Sequence, residues 1–135
     1  MTFFRFAVLC AVTTALLGVG QAQTGTLPVP GTLVGSWTVD LRPTADSPPV
    51  LKKLVITGDS GGSLEGHFYD GSRLQAGRHT RGSGPEIHFA FFTDPGEGAY
   101  QTSGRQVSPD RLSGMTLSTT RGFLLIWEAT RDVAP

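Results

Sequence analysis

Between Leu33 and Arg42 the chain reads LVGSWTVDLR, and its apolar positions fall on every second residue. Leu33, Gly35, Trp37, Val39 and Leu41 share one face, while Ser36, Thr38, Asp40 and Arg42 share the other. A period of two is the mark of a strand with one buried face. The pattern returns where Leu64, Gly66 and Phe68 oppose Glu65, His67 and Tyr69. It returns again where Phe123, Leu125, Trp127 and Ala129 oppose Leu124, Ile126, Glu128 and Thr130. Seven turn clusters (PTADSPP, GDSGGS, DGS, RGSGP, DPGEG, SPD and TTRG) punctuate the chain from Thr32 onward, and no helical spacing is found between them. They predict eight strands: Leu33–Arg42, Lys52–Thr57, Ser63–Asp70, Arg73–His79, Glu86–Thr93, Tyr100–Val107, Arg111–Ser118 and Gly122–Thr130.

Short connections favour antiparallel neighbours, and a helix-free meander ends either as a sandwich or as a closed barrel. Gly66, Gly104 and Gly114 lie inside strands, where glycine usually marks a bend or bulge of the kind barrel corners use. Closure also removes exposed edges, which this chain guards with only two lysines. The expected fold is therefore all-β: an eight-stranded antiparallel up-and-down barrel. Two registers follow. Asp70–Gly71 as a two-residue hairpin loop sets Tyr69 opposite Ser72 and His67 opposite Leu74. A three-residue loop at Gly82–Gly84 sets Arg81 opposite Pro85 and His79 opposite Ile87, with His88 on the other face.

The start of the chain differs in kind. MTFFR carries one positive charge, FAVLCAVTTALL is apolar, and Gly20 and Ala22 are small residues spaced for cleavage after Ala22. The uninterrupted apolar stretch Phe6 to Gly20 is 15 residues, short of the ~18 that usually span a bilayer. Residues 1–22 are expected to be a cleaved signal peptide, 23–31 an extended leader, 32–131 the barrel and 132–135 a tail, in a secreted or periplasmic protein. Cys10, the single cysteine, leaves with the signal, so the mature chain is expected to carry no disulfide. Cleavage takes Arg5 and no acid from a chain with 11 basic and 11 acidic residues, leaving a formal charge of −1. A neutral balance argues against nucleic acid or an anionic membrane as the main partner. No membrane span is expected in the mature chain.

Candidate chemistry is sparse. His67, His79 and His88 lie on three successive strands, but the registers above do not converge them as a metal site requires, and no metal or cofactor is expected. GDSGGS (Gly58–Ser63) is similar to the serine loop of trypsin-like proteases, yet the chain lacks the rest of such a domain, and the same residues make a tight turn. Glu86, Asp94, Glu97 and Asp110 sit at turns with no fixed pairing. Arg73, Arg78 and Arg81 form a basic cluster that suits an anion or simply a solvated strand end. No set of residues marks an active site. In IHFAFF, Ile87, Phe89 and Phe91 should fill the barrel, leaving Ala90 and Phe92 outside near Leu124 and Ile126.

GSW (Gly35–Trp37) resembles the G-x-W opening of the calycins, the group of lipocalins, fatty-acid-binding proteins and avidins, and Arg131 at the end of WEATR is similar to the basic residue that closes the lipocalin barrel. The resemblance implies that Gly35, Trp37 and Arg131 form a barrel closure in which the arginine packs across the indole. It implies a non-enzymatic barrel that holds a small apolar ligand, with Phe68, Phe89, Phe91 and Trp127 as interior candidates. A barrel simply filled by those rings is the plain alternative. A protein-interaction module is another, since small secreted bacterial inhibitors of metalloproteases are also eight-stranded barrels and TGTLPVPG resembles their N-terminal trunk. Barrels of the allene oxide cyclase and dirigent type leave an enzyme open as a third reading.

Overall fold

Period-two alternation is realised in full in the computed structural model, which describes residues 32–133. Residues 1–31, where a signal peptide and leader are expected, with Cys10 and the end of the tail, lie outside the described residues. The strands are β1 (Gly35–Asp40), β2 (Leu51–Gly58), β3 (Glu65–Phe68), β4 (Ser72–Arg73), β5 (Gln75–Thr80), β6 (His88–Thr93), β7 (Tyr100–Ser108), β8 (Arg111–Ser118) and β9 (Phe123–Arg131). They form one antiparallel sheet in the order β4-β3-β2-β1-β9-β8-β7-β6-β5. The first strand is thus hydrogen-bonded to the last, with Trp37 opposite Arg131 and Val39 opposite Ala129.

The protein is an up-and-down, nearly closed barrel. Its nine strands arise because the expected fourth strand is broken at Leu74 into β4 and β5. Leu74 donates its amide to Gly66 O at 2.9 Å, and Leu64 donates to Gly77 O at 3.0 Å. An isolated bridge between Ser63 and Arg78 completes the seam. Between these contacts Ala76 takes a left-handed φ of 50°, and the register against β6 shifts there. That bulge turns the strand from β3 toward β6.

Two registers differ from expectation. Phe68, not Tyr69, pairs with Ser72, and His67 faces Arg73 rather than Leu74. The loop has three residues because Tyr69, Asp70 and Gly71 all adopt left-handed backbone, with φ of 53°, 60° and 87°. At the next hairpin Thr80 pairs with His88, so His79 faces Phe89 instead of Ile87, and Gly82–Gly84 lies within a longer loop. GDSGGS is a turn containing a short 3-10 segment, Ser60–Gly62.

The interior is built in rows across β6–β9. Thr93, Tyr100, Ser118 and Phe123 form one row, followed by Phe91, Thr102, Thr116 and Leu125. Phe89, Gly104, Gly114 and Trp127 form the third. Here Gly104 and Gly114 are not bulges. The β7–β8 register runs through both without a bulge, and a side chain at either would collide with the Phe89 or Trp127 ring. Glycine makes the socket into which the two largest rings of that row settle. Gly66 behaves as expected for a corner: its φ is +152° and the β2–β3 register shifts beside it.

Candidate functional site

The two ends of the barrel are closed by different chemistry. At one end Trp37 is fully buried and donates its indole N–H to Leu33 O at 2.9 Å. The Arg131 guanidinium lies 4.0 Å from the centre of the Trp37 ring. It donates to Val34 O at 2.8 Å, Thr32 O at 2.6 Å and Pro109 O at 3.0 Å. Gly35 explains the spacing of the motif: with φ at +141°, a Cβ there would stand 2.6 Å from an Arg131 nitrogen. Gly35, Trp37 and Arg131 are therefore one unit, in which the missing side chain gives the guanidinium its path.

Asp132, beyond the last strand, extends this closure on the outer surface, and sequence reasoning assigned it no role. Its carboxylate accepts from Ser36 and Thr38 hydroxyls at 2.6 Å each and from the Lys53 ammonium at 2.5 Å. Lys53 and the two hydroxyls hold its pKa down to about 2. The alternation signal did mark Ser36 and Thr38 as outward polar residues, but only the β1–β9 pairing brings Asp132 to them.

The opposite end is closed by aromatic rings. Tyr69, from the β3–β4 loop, stacks on Tyr100 with centroids 5.2 Å apart, and Tyr100 meets Phe123 at 6.0 Å. Cations sit at the rim. Lys52 lies 5.2 Å from the Tyr69 ring centre and bonds Asp70 at 2.8 Å, which raises the Lys52 pKa. Arg121 donates to Tyr100 Oη at 3.3 Å and lies 5.5 Å from the Phe123 ring centre. The Tyr100 hydroxyl is the main cause of its raised pKa.

Beneath these rings the interior wall is polar. Thr102 and Thr116 hydroxyls are 3.0 Å apart, and Trp127 donates its indole N–H to Thr116 Oγ1 at 3.0 Å. Ser118 is buried in the end row. Thr93 is fully buried, and its Oγ1 has no hydrogen-bond partner among the described residues. A buried hydroxyl without a partner carries a desolvation cost of about 1–3 kcal/mol.

The four interior candidates form a chain of ring contacts. Phe68 meets Phe91 edge-on at 5.8 Å, Phe91 stacks on Phe89 at 6.2 Å, and Phe89 tilts against Trp127 at 6.4 Å. They run through the core from beneath Tyr69 toward the Gly104–Gly114 sockets.

Other candidates stay apart. His67 is exposed on β3, His79 bonds Asp59 O at 2.6 Å, and His88 lies on the outer face 3.5 Å from Glu86. Arg78 donates to Gly77 O at 2.9 Å, while Arg73 and Arg81 are exposed. Among the described residues no three His, Cys, Asp or Glu side chains group to hold a metal, and no helix is long and apolar enough to cross a membrane.

On the outside, β9 and the loop after β1 frame a groove of about 620 Å³. Leu124 and Ile126 line it together with Asp40, Arg42 and Glu128. Arg42 bonds Asp40 and holds that carboxyl below its usual range. Glu128 is paired with Arg111. Comparison of the chain with protein-family models, curated proteins and solved structures returns no match.

Proposed function

We propose that the protein is an exported, non-enzymatic calycin-like barrel that holds a small, mostly apolar molecule at the end covered by Tyr69. The observation that carries this reading is the Thr93 hydroxyl, buried with no partner among the described residues and paired across the sheet with Tyr100, on which the loop residue Tyr69 stacks. The ligand is the size of one aromatic ring with one hydrogen-bonding group. It takes the place of the Tyr69 side chain against Tyr100, rests on Phe68 and Phe91, and meets Thr93 with its polar atom. Phe89 and Trp127 form the floor. Exchange of one ring for another keeps the apolar contact and adds the missing hydrogen bond, which is the source of selectivity. The sequence support is the calycin-type closure by Gly35, Trp37 and Arg131, together with the secretory signal pattern.

The test is titration with p-cresol and with toluene, followed by tryptophan fluorescence, to which Trp37 and Trp127 both contribute. Tyr69→Gly suits the left-handed backbone at this position and removes the ring. That variant should bind p-cresol saturably and more tightly than toluene, and adding Thr93→Val should erase the preference. No saturable change in either the native chain or Tyr69→Gly overturns the reading.

A second reading, a protein-interaction module, is favoured by one observation: large apolar side chains stand exposed on the outer face of β8 and β9. The N-terminal trunk that such a module would use lies outside the described residues.

A further inference from the structure

The outer rows of the barrel mirror its inner ones. Between the inward rows, Phe92, Gln101, Leu117 and Leu124 lie side by side across β6–β9, and Ala90, Ser103, Met115 and Ile126 lie next to them. Five of these are large and apolar, and all are exposed: Ile126 73%, Leu124 56%, Met115 46%, Phe92 40% and Leu117 37%. At about 200 Å² for a full side chain they present roughly 500 Å² of apolar surface, in a patch of four on β8 and β9 with Phe92 set beside it across Gln101. Isolated exposed leucines need no explanation, but a contiguous patch of this size marks an interface.

We propose that this face docks a second copy of the same chain. The first argument is area. A stable interface buries about 800 Å² on each partner. Leu117, Leu124, Met115 and Ile126 supply the centre, Gln101 and Ser103 lie between them and Phe92, and Arg111 with the adjoining groove supplies the rim. The second argument is charge. A two-fold interface sets a patch against itself, so uncompensated charges would meet their own sign. Here the charges bordering the strip are neutralised within the chain, Arg42 by Asp40 and Arg111 by Glu128. Equal numbers of acidic and basic residues over the whole chain leave little long-range repulsion between copies. The third is shape. Ile126, the most exposed of the five, borders the groove, so the ridge of one copy has a hollow beside the ridge of the other. Dimerisation by this face leaves the Tyr69 end free, so it stands or falls independently of the ligand.

Sedimentation equilibrium of the mature chain over roughly 1–300 μM should give a concentration-dependent mass twice that of the monomer. Ile126→Lys and Leu124→Lys should each weaken self-association at least tenfold with unchanged far-UV circular dichroism, since both side chains are exposed in the monomer. His67→Lys, which adds the same charge on β3 across the barrel, should leave the dimer intact. A native chain monomeric throughout the range overturns the proposal. So does a dimer that both lysine variants leave unchanged. So does a monomer that dimerises only after residues 23–31 are removed, because the leader would then be what covers the face.

Discussion

Arg131→Ala, measured alone and together with Trp37→Phe, probes the closure on which the barrel rests. Arg131 touches Trp37 through its guanidinium face and three backbone carbonyls through its edge, with 22% of its side chain exposed. A cation over an indole contributes about 0.5–2 kcal/mol. Charged donors to carbonyls contribute about 1.5–3 kcal/mol each when sheltered, and less here because two of the three contacts are at the surface. Arg131→Ala should therefore cost about 2–4 kcal/mol, and Arg131→Lys somewhat less, because an ammonium reaches one carbonyl rather than three. Trp37→Phe should cost about 1–3 kcal/mol through the lost bond to Leu33 O and the volume removed. It keeps the barrel filled, whereas Trp37→Ala would unfold a domain of ordinary stability. Urea denaturation of the four proteins in the cycle should give a coupling of at least about 1 kcal/mol, since phenylalanine is the poorer partner for the cation. Additivity within about 0.5 kcal/mol would refute the view that the two side chains act as one unit.

Gly35→Ala should lower the urea midpoint and weaken the effect of a following Arg131→Ala, because a methyl there displaces the guanidinium first. Gly114→Ala should cost about 1–3 kcal/mol by overpacking and shift the emission of Trp127, whose ring occupies the space. Asp132 should give a pH signature: its pKa falls from 3.8 to about 2 on folding, so the stabilisation is present above pH ~4 and is lost as pH falls through about 2. Solvent around the exposed Lys53 trims this to about 1–2 kcal/mol, and Asp132→Asn should flatten the acid limb of the stability profile. Thr93→Val should raise stability by about 1 kcal/mol in the ligand-free protein, since it removes a buried hydroxyl that has no partner among the described residues. A loss on thermal melting would mean that the hydroxyl is satisfied.

The alternation of apolar residues by itself determined most of the strands between residues 32 and 133 and which of their side chains point inward, because a pleated strand forces period two whatever it pairs with. Ile87, Phe89 and Phe91 are inside, and Ala90 and Phe92 outside, on that ground alone. Hairpin registers were beyond it. Asp70–Gly71 carries a two-residue signal, but the left-handed state of Tyr69 lengthened the loop, and it is stabilised by a stack on Tyr100 from the far side of the barrel. The role of Gly104 and Gly114 was likewise hidden, since the same residue serves a bend or a socket depending on what packs over it. The latch at Asp132 depends on contacts between residues distant in sequence, which exist only once β1 has paired with β9. The break at Leu74 is set by the bonds of Leu74 to Gly66 and of Leu64 to Gly77 as the sheet curls back on itself, and the burial of the Thr93 hydroxyl, which has no partner among the described residues, by packing around the β6–β7 pair.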